Sequence, residues 1–179
     1  LFAINKNTIN KNYILLFSLI GLFISCADNN HVCEVPTNGF GPFEGQTVFM
    51  GSDSTVDVLK EIDAAWTNRD YDALKALISD GGNFSFSDGT VVKTGEEFAA
   101  KVEEDYQKSL ESGQEWGWNI DYAFAVHPKG SDDPKATNQN GEWVNAQFTG
   151  EDGVYIEWYQ IVDGKLVEWS STKRPAVQE

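Results

Sequence analysis

Six tryptophans, Trp66, Trp116, Trp118, Trp143, Trp158 and Trp169, are the densest chemical signal in this 179-residue chain. An indole offers a large apolar body and one N–H donor. It suits a core, a flat apolar ligand or a sugar face. Burying one such side chain stabilises by ~1.5–3 kcal/mol, so most of the six are expected in the core. His127 stands alone before Pro128, with no Cys cluster or His-x-His spacing, so no metal site is expected there. Neither a Gly-x-Ser-x-Gly elbow nor a glycine-rich phosphate loop occurs, and no cofactor is predicted. The formal net charge of −15 disfavours a phosphate backbone as partner, so nucleic-acid binding is not expected.

The elements that must position these groups follow from periodicity and caps. Ser54-Thr-Val-Asp57 reads as the start of a helix whose apolar face is Val58, Leu59, Ile62, Ala65 and Trp66. Asp70 caps a second, short helix with Tyr71, Leu74, Leu77 and Ile78 on one side. Alternation in Asn83–Phe86 and Thr90–Lys93 around Asp88-Gly89 predicts a hairpin. Thr94-Gly-Glu-Glu97 opens a third helix to about Ser112, with Phe98, Val102, Tyr106 and Leu110 together. Then Trp116, Trp118, Ile120, Tyr122, Phe124 and Val126 alternate, which predicts a strand with all six on one face. Pro128–Gly141 is long for a hairpin loop and reads as a mobile or functional connection. Strands are expected at Glu142–Thr149, Val154–Val162 and Leu166–Thr172, with turns at Gly150–Gly153 and Asp163-Gly164. Condensed as ααββαβββ, this is an α+β domain with helices on one face of a curved antiparallel sheet.

The residues ahead of the domain are of another kind. Lys6 and Lys11 precede an apolar run, Tyr13 to Ile24, and then Ser25-Cys26. A basic start, a short apolar run and a small residue before the break describe a secretory signal. The run falls short of the ~20 apolar residues of a comfortable bilayer span. Phe23-Ile24-Ser25-Cys26 resembles the lipobox of bacterial lipoproteins. That resemblance implies a signal peptide over 1–25 and a lipid on Cys26, with 26–53 as a tether to a domain over 54–175. Two or more acyl chains hold stably where one is marginal. The other reading is an ordinary signal peptide with Cys26 bridged to Cys33 in an oxidising compartment. Ala27 and Asp28 after the cysteine agree with sorting to the outer membrane, so a lipid-anchored place in the cell envelope is expected.

The stretch Ala65-Trp-Thr-Asn-Arg-Asp70-Tyr-Asp-Ala-Leu74-Lys-Ala-Leu77-Ile-Ser-Asp80, with Phe84 beyond it, resembles the nuclear transport factor 2-like superfamily, and its SnoaL-like branch in particular. Val162-Asp-Gly-Lys-Leu-Val-Glu168 is similar to that family's last hairpin. The resemblance spans about Ser54 to Pro175 and implies a cone, its sheet wrapped around the first helix over an apolar pocket. It implies pocket residues Ile62, Trp66, Phe86, Trp118, Tyr122, Val154 and Trp158. It also implies pairing of the sheets into a homodimer, for which Tyr155, Tyr159 and Trp169 would suit.

The family's ketosteroid isomerases use an Asp base and an oxyanion hole of a Tyr and a protonated Asp. Aligned on Ala65–Asp80 and on Asp163-Gly164, these positions fall on Ile62, Phe86 and Val154, all apolar. Asp63 and Ser85, one residue away, are expected to point elsewhere. The family's epoxide hydrolases imply an Asp–Arg–Asp set, for which Arg69 and Arg174 offer no match. Its cyclases imply an acidic acid/base, and Glu157 or Glu168 could serve, although Glu157 is expected on the wetter face. The function expected is therefore that of a membrane-anchored lipoprotein whose cone holds a small apolar or aromatic molecule without catalysis. Its alternatives are a SnoaL-like enzyme using one of those glutamates and a structural envelope subunit dimerising through its sheet.

Overall fold

The computed structural model describes residues 47–128 and 141–176. Cys26, Cys33, the leader, most of the expected tether and most of the Pro128–Gly141 connection lie outside the described residues. The chain order is β1 (Val48–Met50), α1 (Asp53–Asn68), α2 (Tyr71–Leu77), β2 (Ile78–Ser85), β3 (Val91–Val92), α3 (Gly95–Ser112), β4 (Trp118–Pro128), β5 (Glu142–Gly150), β6 (Gly153–Val162) and β7 (Lys165–Pro175). Against the elements read from the sequence this adds only a leading strand, since the four late strands each match an expected one, which the condensed ααββαβββ undercounts. β1 lies in the stretch read as tether and pairs with the end of β4, Phe49 opposite His127.

Local chemistry starts and stops the helices. α1 begins two residues earlier than the Ser54 reading, because Ser52 is its N-cap and accepts from the Thr55 N–H. Glu142 on β5 holds that cap, accepting from the Ser52 N–H at 2.7 Å and its hydroxyl at 2.8 Å. A tertiary partner, invisible to local pattern, chose the boundary. Asp70 caps α2 as expected, accepting from the Ala73 N–H at 3.1 Å. Thr94 caps α3 through the Glu97 N–H at 3.2 Å. Gly113, at φ 72°, ends α3 in the left-handed conformation that glycine adopts without a Cβ penalty. On α3 the buried face runs through Phe98, Val102 and Ser109, and Leu110 is exposed, contrary to the expected stripe.

Among the described residues one seven-stranded sheet forms, in the order β1-β4-β5-β6-β7-β2-β3. It is not wholly antiparallel, since β2 runs parallel to β7. The β2–α2 segment therefore enters from the helical layer rather than by a hairpin. Leu59 and Ile62 of α1, Leu74 of α2 and Phe98 and Val102 of α3 are buried together with Phe84, Val144, Leu166 and Trp169 from the sheet. Both turn readings hold locally. Gly89 at φ 90° closes β2 onto β3, and Asp163 and Gly164 at φ 51° and 74° close β6 onto β7.

A shift of register between Ile120 and Tyr122 decides which way β4 faces. Ile120 pairs with Phe148 and Tyr122 with Gln147, so Asp121 is the extra residue of a bulge. Beyond it the small Ala123 and Ala125 face the helices, while Tyr122 and Phe124 turn outward at 41% and 38% exposure. The expected single face of six large residues is split in two.

Candidate acid/base cavity

Between α1, α3 and the concave side of β4–β7 lies a cavity of about 510 Å³. Trp66, Phe86, Trp118 and Trp169 line it. Their rings pack edge to face, Trp66 at 6.0 Å from Trp118 and 5.5 Å from Trp169, Phe86 at 4.8 Å from Trp169. This is the favoured geometry for rings with negative faces and positive edges.

β6 supplies the polar group. Its odd positions Tyr155, Glu157, Tyr159 and Ile161 point toward the helices, and its even positions Val154, Ile156 and Trp158 do not. Glu157 is 7% exposed and lines the cavity. Its Oε2 accepts from the Tyr159 hydroxyl, two residues along the same face, and from Trp169 Nε1 at 3.1 Å on neighbouring β7. Burial raises the Glu157 pKa above the usual carboxylate range, and these donors pull against it. Ser171 lies beside the carboxyl and helps hold its negative form, but its own buried oxygen meets no partner of hydrogen-bond geometry. The Tyr159 phenol is driven well above its ordinary value, first by burial and then by the Glu157 charge.

α1 supplies a second carboxyl. Asp63 lines the cavity and accepts from Trp118 Nε1 at 2.7 Å. Burial raises its pKa as well, partly offset by that indole. Its negative charge in turn adds to the upward push on Glu157. At the rim, Asp152 accepts from the Tyr155 hydroxyl at 2.7 Å and pairs with Lys173. The Tyr155 phenol is pushed up to about 12 by burial and by that carboxylate.

Several sequence-based placements change. Trp66, Phe86 and Trp118 line the cavity. Ile62 is buried at 1% exposure in the core and does not line it. Tyr122 is turned away by the bulge. Val154 and Trp158 occupy the outward phase of β6, where Trp158 is 38% exposed. Glu157, expected on the wetter face, points inward for the same reason. Glu168 precedes the inward Trp169 on β7 and sits on the opposite face, opposite Gln160 and Asn83. Asp63, expected to point away, lines the cavity because it is on a helix, where neighbours differ by about 100° rather than alternating. Tyr159 and Trp169, assigned to a dimer face, are buried at 3% and 1%. The missed signal was Tyr155-x-Glu157-x-Tyr159, a period-two run placing a carboxyl between two phenols. His127 is exposed, and its Nδ1 lies 3.2 Å from the Gly141 carbonyl.

No protein-family model matches the chain, and no curated protein does. Solved structures do. A SnoaL-like protein of unknown function from Burkholderia thailandensis is similar at 14% identity and TM-score 0.51, over 69% of this chain and 98% of that one. An LEH-like epoxide hydrolase from M. tuberculosis matches at 12% identity and TM-score 0.44, over 68% and 83%. A nuclear transport factor 2-like protein of unknown function from Mesorhizobium loti matches at 14% and 0.46, over 69% and 93%. At such identities the likeness is one of fold. The chain has an α+β fold of the nuclear transport factor 2-like cone type, the fold it shares with the SnoaL-like structure.

Proposed function

We propose that the cone is a small-molecule site in which Glu157 moves a proton, on a domain held at the cell envelope by a lipid on Cys26. The observation that carries this reading is the inward Glu157, held by Tyr159 and Trp169 in a cavity large enough for a small ligand. A carboxyl whose pKa burial raises is a better proton donor, and it can give its proton to an oxygen of the bound molecule. The carboxylate left behind accepts from Tyr159 and Trp169, and can then take a proton from a neighbouring carbon of the same molecule. Indole walls exclude water and favour a flat apolar body. This goes past holding without catalysis, the reading the sequence favoured, because the carboxyl is inside.

The test is turnover of a panel of cyclic ketones, enones and epoxides by the full chain. Wild type is expected to convert a member of the panel, Glu157→Gln to lose about 10²-fold or more, and Glu157→Asp to keep part of the rate. Undiminished turnover by Glu157→Gln overturns the role of Glu157. A panel member bound equally by both proteins, with no turnover in either, returns the reading to a binding module. The anchor is tested by incorporation of labelled palmitate, which Cys26→Ser is expected to abolish.

A second copy of the chain remains the proposed protein partner, but at another face. Tyr122, Phe124, Ile156 and Trp158 are exposed together on the outward side of the sheet, where the Tyr122 and Phe124 rings stack at 6.1 Å. Trp158→Glu is expected to turn a dimer into a monomer by light scattering. A wild-type monomer would overturn the pairing.

A further inference from the structure

The charge and shape of the cavity wall say more about the molecule it takes. Six acidic side chains line it, Asp63, Asp88, Asp105, Glu115, Asp152 and Glu157, against two lysines. Both lysines are committed, Lys108 to Glu104 and Lys173 to Asp152. Asp88 and Asp105 share Lys101, which is itself buried. Asp63 and Glu157, by contrast, have no Lys or Arg within ion-pair distance among the described residues. The inner field is therefore negative, and low-dielectric aromatic walls strengthen it.

Asp63 is the carboxyl best placed to use that field. Its Oδ1 takes the Trp118 indole N–H, and its Oδ2 meets no protein donor among the described residues. A carboxylate has about four acceptor sites, so most of its capacity faces the cavity. Trp118 turns its N–H edge to this carboxyl, and Trp66 packs edge to face against Trp118, so the space beside Asp63 is walled by apolar rings. Among the described residues no three His, Cys, Asp or Glu side chains converge as metal ligands. One carboxylate among indoles suits an ammonium group on an apolar frame better than a bare metal ion.

We propose that the molecule held in the cone carries a protonated amine, whose ammonium rests on the open side of Asp63 while its apolar body fills the space among Trp66, Trp118 and Phe86 toward Glu157. This rests on the cone being a small-molecule site. It assigns the amine end to Asp63 and leaves Glu157 free for the proton. Among the described residues nothing uncommitted and positive stands at that position to receive a carboxylate or phosphate.

Isothermal titration calorimetry on the full chain tests this with three probes of one shape: tryptamine, tryptophol and indole-3-propionate, at pH 7. Tryptamine is expected to bind about tenfold or more tighter than tryptophol, and indole-3-propionate to give no heat of binding. Asp63→Asn is expected to bring tryptamine down to the level of tryptophol, and Asp57→Asn, one of the α1 carboxyls outside the cavity lining, to leave the preference in place. Tryptophol or indole-3-propionate binding as tightly as tryptamine to wild type overturns the amine and leaves the cavity reading standing. A preference for tryptamine that survives Asp63→Asn overturns the role of Asp63. Binding of none of the three overturns both readings together. The wild-type comparison decides the charge without any variant.

Discussion

Trp169 on β7 pairs with Tyr159 on β6 and reaches diagonally to Glu157, whose carboxyl Oε2 accepts from the indole Nε1 at 3.1 Å. One side chain thus belongs to both core and site. Its ring packs on Phe98 at 5.3 Å and Phe86 at 4.8 Å, while its N–H orients the acid. Trp169→Ala is expected to cost ~3–5 kcal/mol in urea denaturation, as for large buried aromatics. Trp169→Phe keeps most of the packing and is expected to cost less, while weakening the hold on the charged form of Glu157. Equal losses for the two variants would show that the N–H, not the ring, carries the effect.

Glu157 makes stability depend on pH with a definite sign. Burial raises its pKa in the folded chain above the 4.5 of an unfolded one. Between those two values the folded state binds the extra proton, so stability falls as pH rises through that window. Glu157→Gln copies the neutral acid and removes this dependence. Urea unfolding at pH 5 and pH 8 is expected to show wild type losing more stability than the variant over that interval.

Asp88 works in the other direction. Its pKa is lowered from 3.8 to about 2, first by the Thr90 backbone N–H and then by the Lys101 ammonium, with burial opposing. The stability it lends is present above pH 3.8 and is lost as pH falls toward 2. Asp88→Asn is expected to flatten the acid limb of the stability curve between those values. Lys101→Met is expected to do so in part, and to loosen the β2–β3 turn from α3. Hydrogen exchange at the Phe86 and Gly89 amides, whose bonds close that turn, reads the loosening.

The β6–β7 turn rests on two positive φ angles, Asp163 at 51° and Gly164 at 74°. Gly164 has open space where a Cβ would stand, so any cost of Gly164→Ala is conformational, not steric. A left-handed alanine costs ~1–2 kcal/mol, and a loss of that size is expected in thermal or urea unfolding. The loss should leave the position of Glu157 and the ligand affinity of the cavity unchanged, which the calorimetric series reads.

Much of the fold was legible because its signals are local. Asp70 and Thr94 cap helices with their own side chains, and Asp88-Gly89 and Asp163-Gly164 turn the chain through their own backbone angles. Such groups act over three or four residues and need no distant partner. The aromatic walls Trp66, Phe86 and Trp118 were legible for a related reason. Large apolar side chains at those periods must go inside somewhere.

The facing of β4 and β6 was not legible, and the site depends on it. Both phases of β6 are apolar, Val154-Ile156-Trp158 on one and Tyr155-Tyr159-Ile161 on the other, so hydrophobicity cannot choose between them. The alignment that put Val154 in the pocket sent Glu157, three residues further along the strand, to the other face. In the folded chain Tyr159 and Trp169 supply its carboxyl with partners from a neighbouring position and a neighbouring strand. On β4 one extra residue at Asp121 reversed the phase, and only the pairing with β5 reveals it. Thus the sequence by itself determined the Asp70 and Thr94 caps, the two turns and an aromatic α+β fold. Which carboxyls face its cavity was decided by tertiary structure, because register and cross-strand donors are properties of pairs of strands rather than of either strand alone.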